Sequence, residues 1–145
     1  MSHPNVFTHL ECSATGGRYE TDQPHNLSSA GKPLLARYDF ESVRDRLDRD
    51  EIRARDGGFW KWRELLPVKR DADVVALGEV DTPLIECPDT MAHYGGKGRL
   101  IAKDEGRLPT GSFKARGLAL AVAMAKSYGI KKMAMPTNGN AGAAL

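Results

Sequence analysis

The chain has little of most features that announce a specialised environment. Cysteine occurs only at Cys12 and Cys87, and one pair makes no evident disulfide framework. No apolar run approaches the ~20 residues that span a bilayer. Met1-Ser-His-Pro-Asn lacks the basic and apolar regions of a secretory signal, so the expected location is cytoplasmic. Charge of one sign is scarce too: a formal net charge of +2 calls for neither a nucleic acid nor an anionic membrane as partner. Basic and acidic residues are interspersed, as in Arg44-Asp45-Arg46-Leu47-Asp48-Arg49-Asp50-Glu51-Ile52-Arg53, which reads as a solvated helix face. There is no internal repeat or low-complexity tract. A helix stop signal is missing at the end as well. Asn140-Ala-Gly-Ala-Ala-Leu145 opens like a helix, so the chain is expected to be a fragment, the front part of a longer product.

What is there centres on Leu108-Pro-Thr-Gly-Ser-Phe-Lys-Ala-Arg-Gly117. Residues 117–125 carry no polar side chain, which predicts a helix covered on all sides. Thr110 or Ser112 is a candidate N-cap. Lys126 suits the negative end of the helix dipole, and Gly129 the left-handed position that closes a helix. Lys114 then stands just inside the positive end. Dipole and apolar surroundings both favour the neutral, nucleophilic amine that Schiff-base chemistry with an aldehyde needs. The plain alternative is a lysine that snorkels to water from a core helix. A phosphate loop is excluded: Gly106 and Gly111 have its glycine spacing, but Ser112 and Phe113 intervene before the lysine.

Residues 1–38 read as a small turn-rich module. Gly16-Gly17 separates two candidate strands, and Gly31 precedes an apolar one. His3, His9, His25 and Cys12 match no zinc-ligand spacing, and no metal is expected. Residues 39–80 read as a helical linker and packing segment. An amphipathic helix is expected over 39–55, with Phe40, Val43, Leu47 and Ile52 on one stripe and Asp39 as N-cap. Phe59 to Pro67 is an aromatic packing segment. Cys87 is placed in an edge strand, Gly95-Gly-Lys-Gly98 in a turn, residues 99–105 in a strand, and 131–135 in another. Strand, helix, strand in this order makes a βαβ unit and predicts an α/β fold with a parallel sheet. Pro136-Thr-Asn-Gly-Asn-Ala-Gly142 follows as a strand-to-helix turn. Such turns bind ligands at the carboxyl ends of parallel strands, and the new helix offers N–H groups to an anion such as a substrate carboxylate. An ordinary βα turn is the alternative.

Residues 108–117 resemble the lysine motif of threonine synthase and its relatives, the fold-type-II pyridoxal-phosphate enzymes. Gly139-Asn140-Ala141 resembles their asparagine segment, and Thr82-Pro-Leu-Ile85 their domain-opening segment. The resemblance implies a tryptophan synthase β-like parallel-sheet fold, with residues 81–145 an incomplete cofactor-binding domain. It implies that Lys114 carries pyridoxal 5'-phosphate, with Phe113 beside it. Asn140 would hydrogen-bond the ring hydroxyl oxygen, and Thr137, Asn138, Gly139, Asn140 and Ala141 would hold the amino-acid substrate. The first 38 residues resemble the knuckle-bearing N-terminal module of the group, in degenerate form: the knuckle positions read Cys12, Thr15, Leu27 and Ala30. The implied reaction converts O-phospho-L-homoserine and water to L-threonine and phosphate. A threonine dehydratase, a cysteate synthase-like lyase and a non-catalytic module stay open as alternatives, and a homodimer is open for the full-length protein. The glycine-rich phosphate loop and the partner of the pyridine nitrogen lie beyond this stretch in relatives, so the 145 residues alone are expected to be inactive.

Overall fold

The computed structural model describes residues 5–45 and 47–145. They fall into two compact units. The first gathers the described residues of Met1–Asp56, Lys61–Val75 and Leu120–Ala134; the second holds Gly57–Trp60, Ala76–Ala119 and Met135–Leu145. His3 lies outside the described residues.

The first unit is built on an antiparallel sheet of order β2-β1-β3, comprising β1 (Phe7–Cys12), β2 (Arg18–Tyr19) and β3 (Leu34–Tyr38). Gly16-Gly17 turns β1 into β2, and Gly31 closes the turn ahead of β3, as the glycines suggested. Cys12 pairs with Leu34 across the sheet and is 1% exposed. Its Sγ donates to Ser28 Oγ at 3.1 Å, and Ser28 Oγ also accepts the Lys32 N–H. This buried thiol–hydroxyl contact sits where the resemblance placed a degenerate knuckle. Among the described residues no cluster of His, Cys, Asp or Glu could hold a metal ion.

The single helix expected over 39–55 is two: α1 (Glu41–Arg44) and α2 (Arg49–Ala54). Asp48 accounts for the break. Its backbone is extended, and its carboxylate accepts the N–H groups of Asp50 and Glu51. A local cap here outcompetes continuation of the hydrophobic stripe. Asp39, the expected N-cap, stands one residue too early: the N-cap of α1 is Phe40, and Asp39 accepts the Ser42 N–H from outside the helix. Val43 and Ile52 are buried, whereas Phe40 is exposed and stacks on Tyr38. Arg55 joins α2 to residues 61–64 through Glu64 and the Lys61 carbonyl, each at 2.8 Å. Buried Asp73 accepts two hydrogen bonds from Arg70 and one from Ser127. A cavity of about 270 Å³ lies beside them, lined by Pro67, Lys69, Met124 and Tyr128 among others. No residue singled out in the sequence as a site residue lines it.

The second unit holds an antiparallel pair, β4 (Leu84–Glu86) and β5 (Ile101–Lys103), in the register Ile85 to Ala102. Between them lies α3 (Pro88–His93). Cys87, expected in the strand, is instead the N-cap residue of α3, although its N–H still reaches the Leu100 carbonyl. The unit also contains the start of α4 (Lys114–Ser127) and all of α5 (Asn140–Ala144).

Two expectations fail here. Residues 131–135 form no strand, and both sheets among the described residues are antiparallel. A parallel strand is stabilised by neighbouring ladders and by cover on its faces. Residues 131–135 are exposed throughout and have neither to offset the entropy of ordering. The uniformly covered helix is also only partly found. Ala115, Ala123 and Ala125 are buried, but residues 118–122 are half-buried and Gly117 is exposed. Alanine and glycine offer little apolar area, so each turn gains little from cover. The end of α4 follows expectation: Gly129 has φ +72°, and the Ile130 N–H reaches the Ala125 carbonyl in a Schellman closure.

Candidate active site

The lysine loop is built by local turns. Asp104 accepts the Gly106 N–H and pairs with Arg107, opening a 3-10 turn over Glu105–Arg107. Leu108 is buried, and the Gly111 N–H closes a tight turn onto its carbonyl at 2.8 Å. Gly111 has φ +68°, a conformation that disfavours any side chain. Helix α4 then begins at Lys114 itself.

The side-chain cap expected from Thr110 or Ser112 is not made. Among the described residues, neither of these buried hydroxyl oxygens has a hydrogen-bond partner. The Ala115 and Arg116 N–H groups go instead to the backbone carbonyls of Ser112 and Phe113. A buried hydroxyl left unpaired costs about 1–3 kcal/mol, so this loop carries unused hydrogen-bonding capacity. The expected interior setting of Lys114 is corrected as well. Lys114 is exposed, with its Nζ 4.6 Å from the centroid of the Phe113 ring, itself 59% exposed. A cation over an exposed ring is worth about 0.5–1 kcal/mol, enough to bias the amine towards that face.

A second arrangement was not read from the sequence. Arg116, in the first turn of α4, makes a forked pair with Glu105: Nε to Oε2 at 2.6 Å and Nη2 to Oε1 at 2.9 Å. Thr82 completes it, its Oγ1 donating to Glu105 at 2.7 Å and accepting from Arg116 at 3.1 Å. Thr82 is 5% exposed. Lys103 reaches the Thr82 carbonyl at 3.3 Å. The Arg116 guanidinium, above all, holds the Glu105 carboxyl low, at about 2. No periodicity or motif spacing links these positions; the one available signal was a lone acidic residue leading into the loop.

The asparagine turn is held differently. Thr137 Oγ1 accepts the N–H groups of Gly139 at 3.1 Å and Gly142 at 2.9 Å. A Cβ on Gly142 would overlap the Thr137 side chain. Gly139 has φ +141°, where side chains are strained, and it leads into α5, whose first residue is Asn140. Asn138 and Asn140 are exposed and Ala141 is half-buried. The lysine loop and this turn lie in the same compact unit.

Comparison with known proteins bears on this unit directly. Residues 75–145 match the family described as pyridoxal-phosphate dependent enzyme. The chain is 35% identical to a threonine synthase of Methanocaldococcus jannaschii over 134 residues, covering 92% of the chain and 33% of that protein. A threonine synthase of Methanosarcina acetivorans is 36% identical over 94% of the chain and 33% of its own length. One from Synechocystis is 41% identical over 57% of the chain and 22% of its own length. No solved structure matches the chain. The chain thus resembles the N-terminal portion of a pyridoxal-phosphate dependent enzyme. The particular relatives it resembles are threonine synthases, and it spans about a third of the length of the first two. No helix among the described residues is long and apolar enough to cross a membrane.

Proposed function

We propose that this chain supplies the lysine side of the active site of a threonine synthase-like enzyme, which converts O-phospho-L-homoserine and water to L-threonine and phosphate. Residues 81–145 then contribute part of the cofactor-binding domain, of parallel-sheet type in the whole protein, and residues 1–38 a small module ahead of it. The observation that carries this reading is the state of the lysine loop. An exposed primary amine opens α4, and beside it in the chain two buried hydroxyls have no partner. An amine together with unpaired hydroxyl groups suits an aldehyde-bearing, oxygen-rich ligand, so the residues present fit pyridoxal phosphate.

When bound, the cofactor supplies an electron sink for the substrate's reacting carbons. Lys114 would hold it and serve as the amine that takes and returns protons at those carbons. Phe113 would lie beside the cofactor, and Asn140 would hydrogen-bond the ring hydroxyl oxygen. The backbone N–H groups around Asn138, Gly139 and Ala141, with Thr137, would orient the substrate carboxylate. One observation keeps a related lyase of threonine dehydratase or cysteate synthase type as a second reading. The Thr137 oxygen already serves two backbone N–H groups, so it has less capacity to define a substrate.

The test uses the full-length protein. Incubation with pyridoxal phosphate, then borohydride and peptide mass analysis, should place the adduct on Lys114. Phosphate should be released from O-phospho-L-homoserine and fall by about 10²–10⁴-fold in Lys114→Ala. An adduct spread evenly over the lysines would overturn the reading. Turnover of threonine or serine without phosphate release would select the second one.

A further inference from the structure

The first turn of α4 poses a physical problem. It carries two cations, Lys114 and Arg116, at the positive end of the helix dipole, with no acidic residue of its own. It has no side-chain cap, since the two hydroxyls that could cap it are unpartnered. Within the loop only backbone hydrogen bonds hold the turn, at Gly111, Ala115 and Arg116, and no side chain of its own does, although a reactive amine needs a defined direction.

The missing anion arrives through space. Glu105 stands on the 3-10 turn after β5, Thr82 lies ahead of β4, and both meet Arg116. The forked guanidinium–carboxylate pair fixes orientation as well as distance, which a single point contact does not do. All of the fork's hydrogen bonds are 2.9 Å or shorter, and Thr82 holds both partners from its buried position. Residues two apart in a helix point to different sides. Arg116 is half-buried towards this cluster, while Lys114 is exposed. We propose that Arg116, gripped by Glu105 and Thr82, is a positioning residue that sets the first turn of α4 and hence the direction in which Lys114 presents its amine. The proposal rests on the reading of Lys114 as the reactive amine, but its test does not depend on the cofactor.

In the full-length protein, Arg116→Lys keeps the charge and loses the fork, Glu105→Gln keeps the shape and loses the charge, and Thr82→Val removes the shared hydroxyl. The first readout is amide hydrogen exchange at residues 114–118. The second is the rate of reductive methylation at Lys114 relative to Lys126 in the same molecule, using formaldehyde with a mild hydride donor. Arg116→Lys and Glu105→Gln should speed exchange in this turn, and the Lys114-to-Lys126 ratio should change by on the order of tenfold. Exchange elsewhere should rise far less than in this turn, and Thr82→Val should show a smaller change in the same direction. The charge-swapped pair Glu105→Arg with Arg116→Glu should recover much of the protection. Unchanged exchange and ratio in both main variants would overturn the proposal. Loss of protection throughout the unit would also overturn it, since the cluster would then be a general brace. Failure of Lys114 to take pyridoxal phosphate in the unsubstituted protein would sink the functional reading, while the exchange result would still decide this one.

Discussion

The two turns of the second unit solve the same problem in opposite ways. The asparagine turn is held from within: the Thr137 oxygen takes the N–H groups of Gly139 and Gly142, a few residues along the chain. The lysine turn has local backbone hydrogen bonds but takes its side-chain brace from outside, from Thr82 and Glu105 acting on Arg116, while its own Thr110 and Ser112 hydroxyls stay unpaired among the described residues. Local bracing consumes polar atoms that a ligand could use. Long-range bracing leaves them available. The lysine turn thus combines a fixed backbone with spare donors and acceptors.

The sharpest way to break this contrast is to remove the amine that the lysine turn presents. Lys114→Ala should abolish cofactor trapping at this position and lower phosphate release as stated above, with little effect on folding, because the side chain is exposed. The next largest effect is on stability. Glu105 has a folded pKa of about 2, below the ordinary 4.5. Its contribution is therefore fully present above about pH 4.5 and is lost as the pH falls from there towards 2. Glu105→Gln should cost about 1–2 kcal/mol at neutral pH, because it leaves a half-buried guanidinium without its charge partner. It should also flatten the pH dependence in that acidic window. Urea midpoints at pH 7 and through the window measure both; an unchanged acid slope would remove the clamp's electrostatic role. The smallest effect belongs to the other turn. Thr137→Val should cost about 0.5–1 kcal/mol and speed amide exchange at Gly139 and Gly142 alone, while Thr137→Ser should keep the protection. A wider loss of protection in Thr137→Val would show that this turn, too, is braced from afar.

Legibility in the sequence followed the range of the forces. The glycine turns at Gly16-Gly17 and Gly31 and the closure at Gly129 depend on neighbouring residues and were readable, whereas the start of α4 was placed too early, at a cap by Thr110 or Ser112 that is not made. Asp48 is also local, but its capping power was hidden among alternating charges, so periodicity suggested one helix where two exist. The forked pair was unreadable for a different reason. Arg116 and Glu105 stand 11 positions apart, and Thr82 lies 23 positions from Glu105, and nothing in any of the three names its partners. The strand expected at 131–135 rested on its place between a helix and a turn: Lys131-Lys-Met-Ala-Met135 has no β-branched or aromatic side chain, and strand formation also depends on what lies alongside.

The buried thiol of the first unit has a separate consequence. Cys12 is hydrogen-bonded to Ser28, and then to Thr15, which holds its pKa below the ordinary thiol value. It is also 1% exposed, behind β3 and the Ser28 turn. A thiol reagent therefore has to wait for the sheet to part. The rate at which Cys12 is alkylated serves as a clock on that opening, one carried by a side chain the polypeptide already has.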